Sequence, residues 1–370
     1  MRFRCNKEIL DRQLTYVSRV VTVRSNAPVL SNVLIETDGQ RLRLTGTDLE
    51  LTVSTYLPAA VEQEGAFTVP AKLLQEFVHQ NPDEELEFTL ESFELICSSS
   101  KVNGRLSGLD ADEFPSLPKV ENGKRLALPL SELVQGLKQV VIACAADQTR
   151  PVLTGVYLRL EDNVATLAAT DSFRLAERRI NILPVQDPVT LIIPARTVQE
   201  VIRIATSLPS VTEAEIEMTD QQILFRIGNV ELYSRLISGA FPRYQAIIPS
   251  EFAVQADLTT SELVQALRLS NVFGTGGVAN VMVEVSEDGT LSLASHGSQR
   301  GNAKHTLYAV VEEPYKPLKA AFNTKFFLDA VQAPGVPHLK LQFAGPTSPL
   351  LITTEDPNYR QLVMPIRLDQ

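Results

Sequence analysis

Apolar residues return at helical spacing in three separated stretches of the chain. In residues 7–21, Leu10, Leu14, Val17 and Val21 share one stripe, and in residues 131–144 Leu133, Leu137, Val140 and Cys144 do the same. Residues 261–271 predict a third such helix, because Ser131-Glu132-Leu133-Val134-Gln135 recurs letter for letter as Ser261-Glu262-Leu263-Val264-Gln265. The serine of each copy is expected to cap its helix, and the carboxylate behind it suits the positive end of the dipole. After each helix the period becomes an alternation. Residues 33–37 and 41–45 flank Asp38-Gly39, residues 156–160 and 165–169 flank Asp162-Asn163, and residues 281–285 and 291–294 flank Asp288-Gly289. These are hairpin signals. A second set of helices is predicted to stop at Asn81-Pro82, Leu208-Pro209 and Ala333-Pro334, because a residue ahead of proline is pushed out of helical geometry.

The second helices share a beginning. Val69-Pro70-Ala71-Lys72-Leu73-Leu74-Gln75-Glu76-Phe77-Val78 returns as Ile193-Pro194-Ala195-Arg196-Thr197-Val198-Gln199-Glu200-Val201-Ile202, and Phe322-Asn323-Thr324-Lys325-Phe326-Phe327 is a more diverged third copy. A period of about 125 residues marks one supersecondary plan used three times. The predicted fold class is α+β, with three repeated domains over residues 1–120, 125–249 and 252–370. Each domain is expected to hold two helices and about eight strands. The repeat also places a cation, Lys72, Arg196 or Lys325, at the same point of each second helix. Lys7, Arg12 and Arg19, their second-domain counterparts Lys138 and Gln139, and Arg203 extend a polar face opposite the apolar stripes. A single such cation is an ordinary filler of a solvated face. Matched cations in three copies suit a surface that neutralises phosphates without reading bases.

Composition changes this picture little. The 370 residues are 44% hydrophobic and 21% charged, which is globular and too long for one core. The net charge of −10 alone argues against a polyanionic partner, so the case for DNA rests on where the cations gather. No apolar run approaches the ~18 residues of a membrane helix, and Met1-Arg2-Phe3-Arg4-Cys5-Asn6 lacks a signal-peptide core. Cys5, Cys97 and Cys144 are odd in number and far apart, as expected of unpaired thiols in a reducing cytoplasm. A cytoplasmic location with no membrane partner is the expectation.

Enzyme chemistry finds no foothold. The sequence has no GxxxxGK[ST] loop, GxSxG elbow or HExxH helix, and His79, His296, His305 and His338 are scattered. Gly274-Thr275-Gly276-Gly277 lacks the strand-before, helix-after context of a phosphate loop and reads as a connection. No catalytic residue, metal site or cofactor is expected. No helix-turn-helix, zinc-finger spacing or RNP-type aromatic cluster points to base reading. The alternative is a repeat scaffold or adhesion protein that ignores DNA, which would have no need of matched cations.

Four segments are more specific: Leu44-Thr45-Gly46-Thr47-Asp48-Leu49-Glu50, Thr170-Asp171-Ser172-Phe173-Arg174-Leu175-Ala176, Phe241-Pro242-Arg243-Tyr244 running on to Pro249, and Val363-Met364-Pro365-Ile366-Arg367-Leu368. In this order, over essentially the whole chain, they resemble the bacterial β sliding clamp family, the processivity subunits of DNA polymerase III. The resemblance implies the DNA-clamp fold and a head-to-tail homodimer closed as a ring around double-stranded DNA. It implies sliding without sequence specificity. It further implies tethering of the replicative polymerase, the clamp loader, repair polymerases and other clamp-motif proteins, through a hydrophobic peptide cleft between the second and third domains.

By resemblance the cleft falls on Leu153, Thr170, Ser172, Arg174, Leu175, Pro242, Ile247, Leu362 and Met364, with Asn323 and Phe326 at its edge. Without the resemblance, its apolar members read as ordinary core. DNA contacts fall on Arg24, on the loop Gln148-Thr149-Arg150, and on Lys72, Arg196 and Lys325. The dimer interface falls on Gly104, Arg268 and Leu269, where the family shows an aromatic and paired aliphatics. The chain also departs from the family's glycine and histidine at Ser172-Phe173, and its Ser295-His296-Gly297-Ser298 lacks the Thr-Asp signature.

Overall fold

Alternating sequence becomes antiparallel sheet throughout. The computed structural model of the chain describes residues 1–21, 27–117, 120, 121, 123–272, 279–297 and 301–366, leaving aside the side chains of 296 and 297. Arg24, Ser298 and the run Gly274-Thr275-Gly276-Gly277 lie outside the described residues. Each third of the chain contributes two helices: α1 (Lys7–Val17) and α2 (Ala71–Gln80), α3 (Leu130–Val141) and α4 (Ala195–Thr206), α5 (Thr260–Val272) and α6 (Thr324–Gln332).

The helix boundaries correct the sequence reading at several points. α1 ends at Val17 rather than Val21, with the Ser18 amide closing on the Leu14 carbonyl at 2.9 Å. α3 and α5 start one residue before Ser131 and Ser261, so neither serine is the cap. The starts are fixed by backbone bonds instead, Leu130 N to Thr212 O and Thr260 N to Pro337 O, both 2.8 Å. Side-chain caps occur where the sequence has asparagine. Asn6 accepts from Ile9 N at 3.1 Å, and Asn323 accepts from Lys325 N at 3.0 Å and Phe326 N at 3.1 Å.

The chain divides into two compact units, residues 1–131 with 200–236, and residues 132–199 with 237–370. In the first unit a five-stranded sheet runs in the order Ala60–Gln63, Arg2–Asn6, Glu85–Glu91, Glu94–Ser98, Asn103–Ser107. An eight-stranded sheet runs Lys124–Pro129, Glu213–Met218, Gln222–Ile227, Val230–Arg235, Leu51–Pro58, Arg41–Thr47, Asn32–Asp38, Ala66–Pro70. Helices α1 and α2 pack together, joined by Gln75 Nε2 to Thr15 Oγ1 at 3.3 Å and by His79 Nδ1 with Asp11 at 2.8 Å. Gly46 is required beneath α1, because a Cβ there would collide with the Val17 carbonyl. Leu14, Val17, Leu42, Leu44 and Val53 are fully buried in this unit, each side chain contributing about 1.5–3 kcal/mol.

The second unit repeats the design. Its nine-stranded sheet runs Val189–Pro194, Gly155–Glu161, Val164–Thr170, Arg174–Asn181, Tyr359–Val363, Leu350–Thr353, His338–Phe343, Val254–Thr259, Ala309–Val311. The five-stranded sheet runs Gly301–Leu307, Leu291–Gly297, Asn280–Val285, Leu318–Asn323, Pro365–Ile366. Phe322 lies 5.6 Å from Phe327 and 6.3 Å from Phe343, ring centre to ring centre, in the core under α5 and α6.

One joint occurs twice. In the first unit Val230–Arg235, the last strand of the second copy, pairs antiparallel with Leu51–Pro58 of the first copy, with Ser234 opposite Leu51. In the second unit Tyr359–Val363, the strand of the third copy that matches Val230–Arg235, pairs in the same way with Arg174–Asn181 of the second, with Val363 opposite Arg174. The equivalent strands Asn103–Ser107 and Gly301–Leu307 are instead the outer strands of their five-stranded sheets.

Candidate functional site

Lys72, Arg196 and Lys325 are each the second residue of their helix, and all three are exposed. A cation is unfavourable at the positive end of a helix dipole, so helix stability gives no reason for it to recur there. A helix N-terminus flanked by a cation is, however, suited to a phosphate. Gln148, Thr149 and Arg150 are also exposed, on a loop held by Asp147, whose carboxylate accepts from Thr149 N at 2.9 Å. The wider polar face is less open than the sequence suggests. Arg203 is tied to Glu200 at 2.7 Å with its guanidinium 5.6 Å over the Tyr16 ring, and Arg19 lies 3.6 Å from the same carboxylate. Gln139, expected on the polar face, is 3% exposed, and the Gln361 side chain donates to its carbonyl at 3.5 Å.

The Thr-Asp segment of the second copy builds a tight frame. Thr170 Oγ1 donates to Arg174 O at 2.7 Å and accepts from Ser172 N at 3.1 Å, while Asp171 Oδ1 accepts from Phe173 N at 2.9 Å and Arg174 N at 3.0 Å. These bonds hold Ser172 at φ +76°, the left-handed region where glycine is at ease. Phe173 is thereby thrown outward, 62% exposed, while its carbonyl accepts from Met364 N at 2.8 Å.

Arg174, the next residue, is largely buried in a cage. Its guanidinium is bonded to Asp171 at 3.0 Å and Asp329 at 2.7 Å, and stands 4.4 Å over the ring of Phe326. Phe173 stacks on the same ring at 6.3 Å. Asn323 belongs to this corner through its cap on Phe326 N. Leu175 pairs with Leu362 across the strands, and both join Ala168, Leu351 and Tyr244 in one cluster. The Tyr244 hydroxyl donates to the buried Glu177 carboxylate at 2.6 Å, and burial followed by that charge pushes the phenol pKa well up. Tyr244 N bonds Pro242 O at 2.9 Å and opens the short 3-10 helix that ends at Ile247.

The structure thus sorts the expected cleft residues. Leu153, Leu175 and Leu362 lie below the surface at 3% exposure or less, and Thr170 is buried. Ser172, Pro242 and Ile247 are exposed, and Met364, Asn323, Phe326 and Arg174 are partly so. Sequence reasoning missed Asp329 and Tyr244 as organisers. Asp329 follows Phe326 by one helical turn, a spacing that could have flagged it. Arg268 and Leu269 are exposed on α5, and Gly104 is partly exposed with the ring of Phe77 packed against it. Among the described residues no group of three or more His, Cys, Asp or Glu side chains could hold a metal, and no helix is long and apolar enough to cross a membrane.

Models of the DNA polymerase III beta subunit match in series: the N-terminal domain over residues 1–118, the central domain over 127–243 and the C-terminal domain over 245–367. The chain is 32% identical to the beta sliding clamp of Synechococcus elongatus, over 100% of both, and 27% identical to that of Staphylococcus aureus, over 99% of both. Among solved structures, the DNA polymerase sliding clamp of Bacillus subtilis superposes with a TM-score of 0.94 at 27% identity, over 100% of each chain. The DNA polymerase III beta subunit of Pseudomonas aeruginosa gives 0.93 at 25% over the same coverage.

Proposed function

This chain belongs to the DNA polymerase III beta subunit family, and from that premise we propose that it is a sliding clamp. Two copies meet head to tail, close a ring around double-stranded DNA in the bacterial cytoplasm, and slide without reading sequence. The ring tethers the replicative polymerase, the clamp loader and repair polymerases by a short peptide of each, and the chain itself catalyses nothing.

One observation carries the reading. The joint between a strand late in one copy and the fourth strand of the copy before it is made twice within the chain, and the two strands needed for a third such joint are outer strands. Outer strands offer unpaired donors and acceptors to another chain. Asn103–Ser107 of one molecule and Gly301–Leu307 of another are the matching halves, and two molecules use up all four edges. Gly104 lies on the first of these strands, and Arg268 and Leu269 lie on α5, which packs against the second.

Lys72, Arg196 and Lys325 then supply sparse, non-specific phosphate contacts, helped by the Gln148-Thr149-Arg150 loop and by Arg24. A ring retains DNA by topology, so weak contacts suffice and leave it free to move. The corner built by Ser172, Arg174, Pro242, Ile247, Asn323, Phe326 and Met364, floored by Leu153, Thr170, Leu175 and Leu362, takes the partner peptide. Its adaptable methionine and aromatic wall suit apolar anchors.

The test is the solution mass and DNA retention together. A mass near twice 40.8 kDa, with protein kept on closed circular DNA and lost when the circle is cut, is the expected result. A monomer, or equal retention on circular and linear DNA, overturns the ring and favours a repeat scaffold.

A further inference from the structure

The first unit contains a second edition of the corner built around Ser172. Thr47 Oγ1 donates to Leu51 O at 3.3 Å and accepts from Leu49 N at 3.1 Å; Asp48 Oδ1 accepts from Glu50 N at 3.1 Å and Leu51 N at 2.8 Å. Each bond has its counterpart in the frame from Thr170 to Arg174. Leu49 has φ +76°, the value found at Ser172. Arg235 N bonds Glu50 O at 3.0 Å, as Met364 N bonds Phe173 O. Tyr233 pairs with Thr52 where Leu362 pairs with Leu175. Even the Phe-Pro step returns, Phe114-Pro115 matching Phe241-Pro242.

At this second frame the surface opens into a groove of about 390 Å³, whose lining includes Leu49, Glu50, Pro115, Leu117, Tyr233 and Arg235. Its chemistry differs from the first corner at several matched positions, Leu51 standing for Arg174 among them, and at two of them charge replaces apolar surface. Glu50 stands for Phe173 and Arg235 for Met364, so an ion pair replaces two apolar side chains. That pair spans 3.3 Å with both side chains about two-thirds exposed, so solvent already weakens it. A guanidinium so placed can exchange its partner for an incoming carboxylate, which its fork of donors fits. Leu49, 52% exposed, and Leu117 supply apolar wall beside it.

We propose that this groove is a second docking site, for an extended peptide that presents an apolar anchor next to a carboxylate. The proposal rests on the reading of the first corner as a peptide site, since the two share a backbone frame. The peptide's carboxylate bonds Arg235, Glu50 turns to solvent, and the anchor lies between Leu49 and Leu117. Because Glu50 must first be displaced, binding is weaker here than at the first corner.

The test uses methyl-labelled full-length chain titrated with a short synthetic peptide that sets apolar Leu and Phe anchors beside an Asp, and with its variant carrying Lys for Asp. Met364 reports on the first corner, and Leu49 and Leu117 report on the groove. The expected result is that the Asp peptide shifts Met364 first and the two leucines at roughly tenfold higher concentration. The Lys peptide is expected to leave the leucines unmoved. Arg235→Gln should abolish the leucine shifts and preserve that of Met364. Shifts at Met364 with none at Leu49 and Leu117 overturn the groove and leave the first corner standing. Equal leucine shifts with the Lys peptide overturn the carboxylate, and no shift anywhere overturns both sites.

Discussion

The ring of Phe77 occupies the space that a side chain at position 104 would need. A Cβ on Gly104 would overlap the Cε2 and Cζ atoms of that ring. The absence of a side chain at Gly104 thus leaves the ring of Phe77, from α2, room to pack against this strand. Gly104→Ala is expected to cost about 1–3 kcal/mol in urea unfolding, the usual penalty of overpacking. Phe77→Leu in the same chain should recover part of that loss. A double variant no better than Gly104→Ala alone would place the cause elsewhere.

Ser172 is strained by holding φ +76°. A left-handed residue other than glycine costs about 1–2 kcal/mol, and glycine removes that cost while adding roughly 0.5–1 of unfolded-state entropy. Ser172→Gly should thus be neutral or stabilising by up to about 1.5 kcal/mol, whereas Ser172→Val, with a β-branched side chain, should lower stability by about 1–2 kcal/mol. Thermal melts of the two variants check the order, and equal melting points would count against strain at this residue.

The Arg174 guanidinium is held by two carboxylates and a ring at once. Arg174→Ala leaves Asp171 and Asp329 without their shared cation and should cost about 2–4 kcal/mol. Lysine keeps the charge but loses the fork and the stacking, so Arg174→Lys should restore less than half of this. Chemical unfolding of the three proteins gives the comparison, and full rescue by lysine would reduce the cage to a simple charge effect.

Cys5 and Cys97 are both buried, and burial pushes each thiol up to about 12. The folded protein therefore binds these protons more tightly than the unfolded chain, whose thiols titrate near 9. That contribution to stability is fully present below pH 9 and is lost as the pH rises from there through about 12. Iodoacetamide at pH 8 should label neither residue in the native protein and both in guanidinium. Rapid native labelling of either would mean that its strand opens readily.

Charge at the second helices should act on DNA and not on folding. Lys72→Glu with Lys325→Glu changes exposed residues at helix N-termini, where a carboxylate is the better tenant. Stability should hold or rise slightly while retention on circular DNA falls. For each phosphate no longer neutralised, the slope of log affinity against log salt should flatten by about 0.9. Unchanged retention and slope would remove these residues from the DNA face.

Much of this was legible in the sequence because its causes are local. Helical and alternating periods are set by which neighbouring residues share a face, so six helices and three hairpins at Asp38-Gly39, Asp162-Asn163 and Asp288-Gly289 follow from residues a few places apart. The threefold repeat is likewise a property of the string, and it carried the matched positions of Lys72, Arg196 and Lys325. What the string did not contain was which polar groups would meet from distant positions. Gln139 reads as a surface residue although it is buried with Gln361 bonded to its carbonyl, and nothing near Arg174 in the sequence announces Asp329 and Phe326, which arrive from a helix about 150 residues away. The duplicate frame at Thr47 and Thr170 is visible as two similar words, yet only the fold shows that Arg235 and Met364 stand at one place in it. Local spacing decided the elements, and long-range strand pairing decided which side chains share a site.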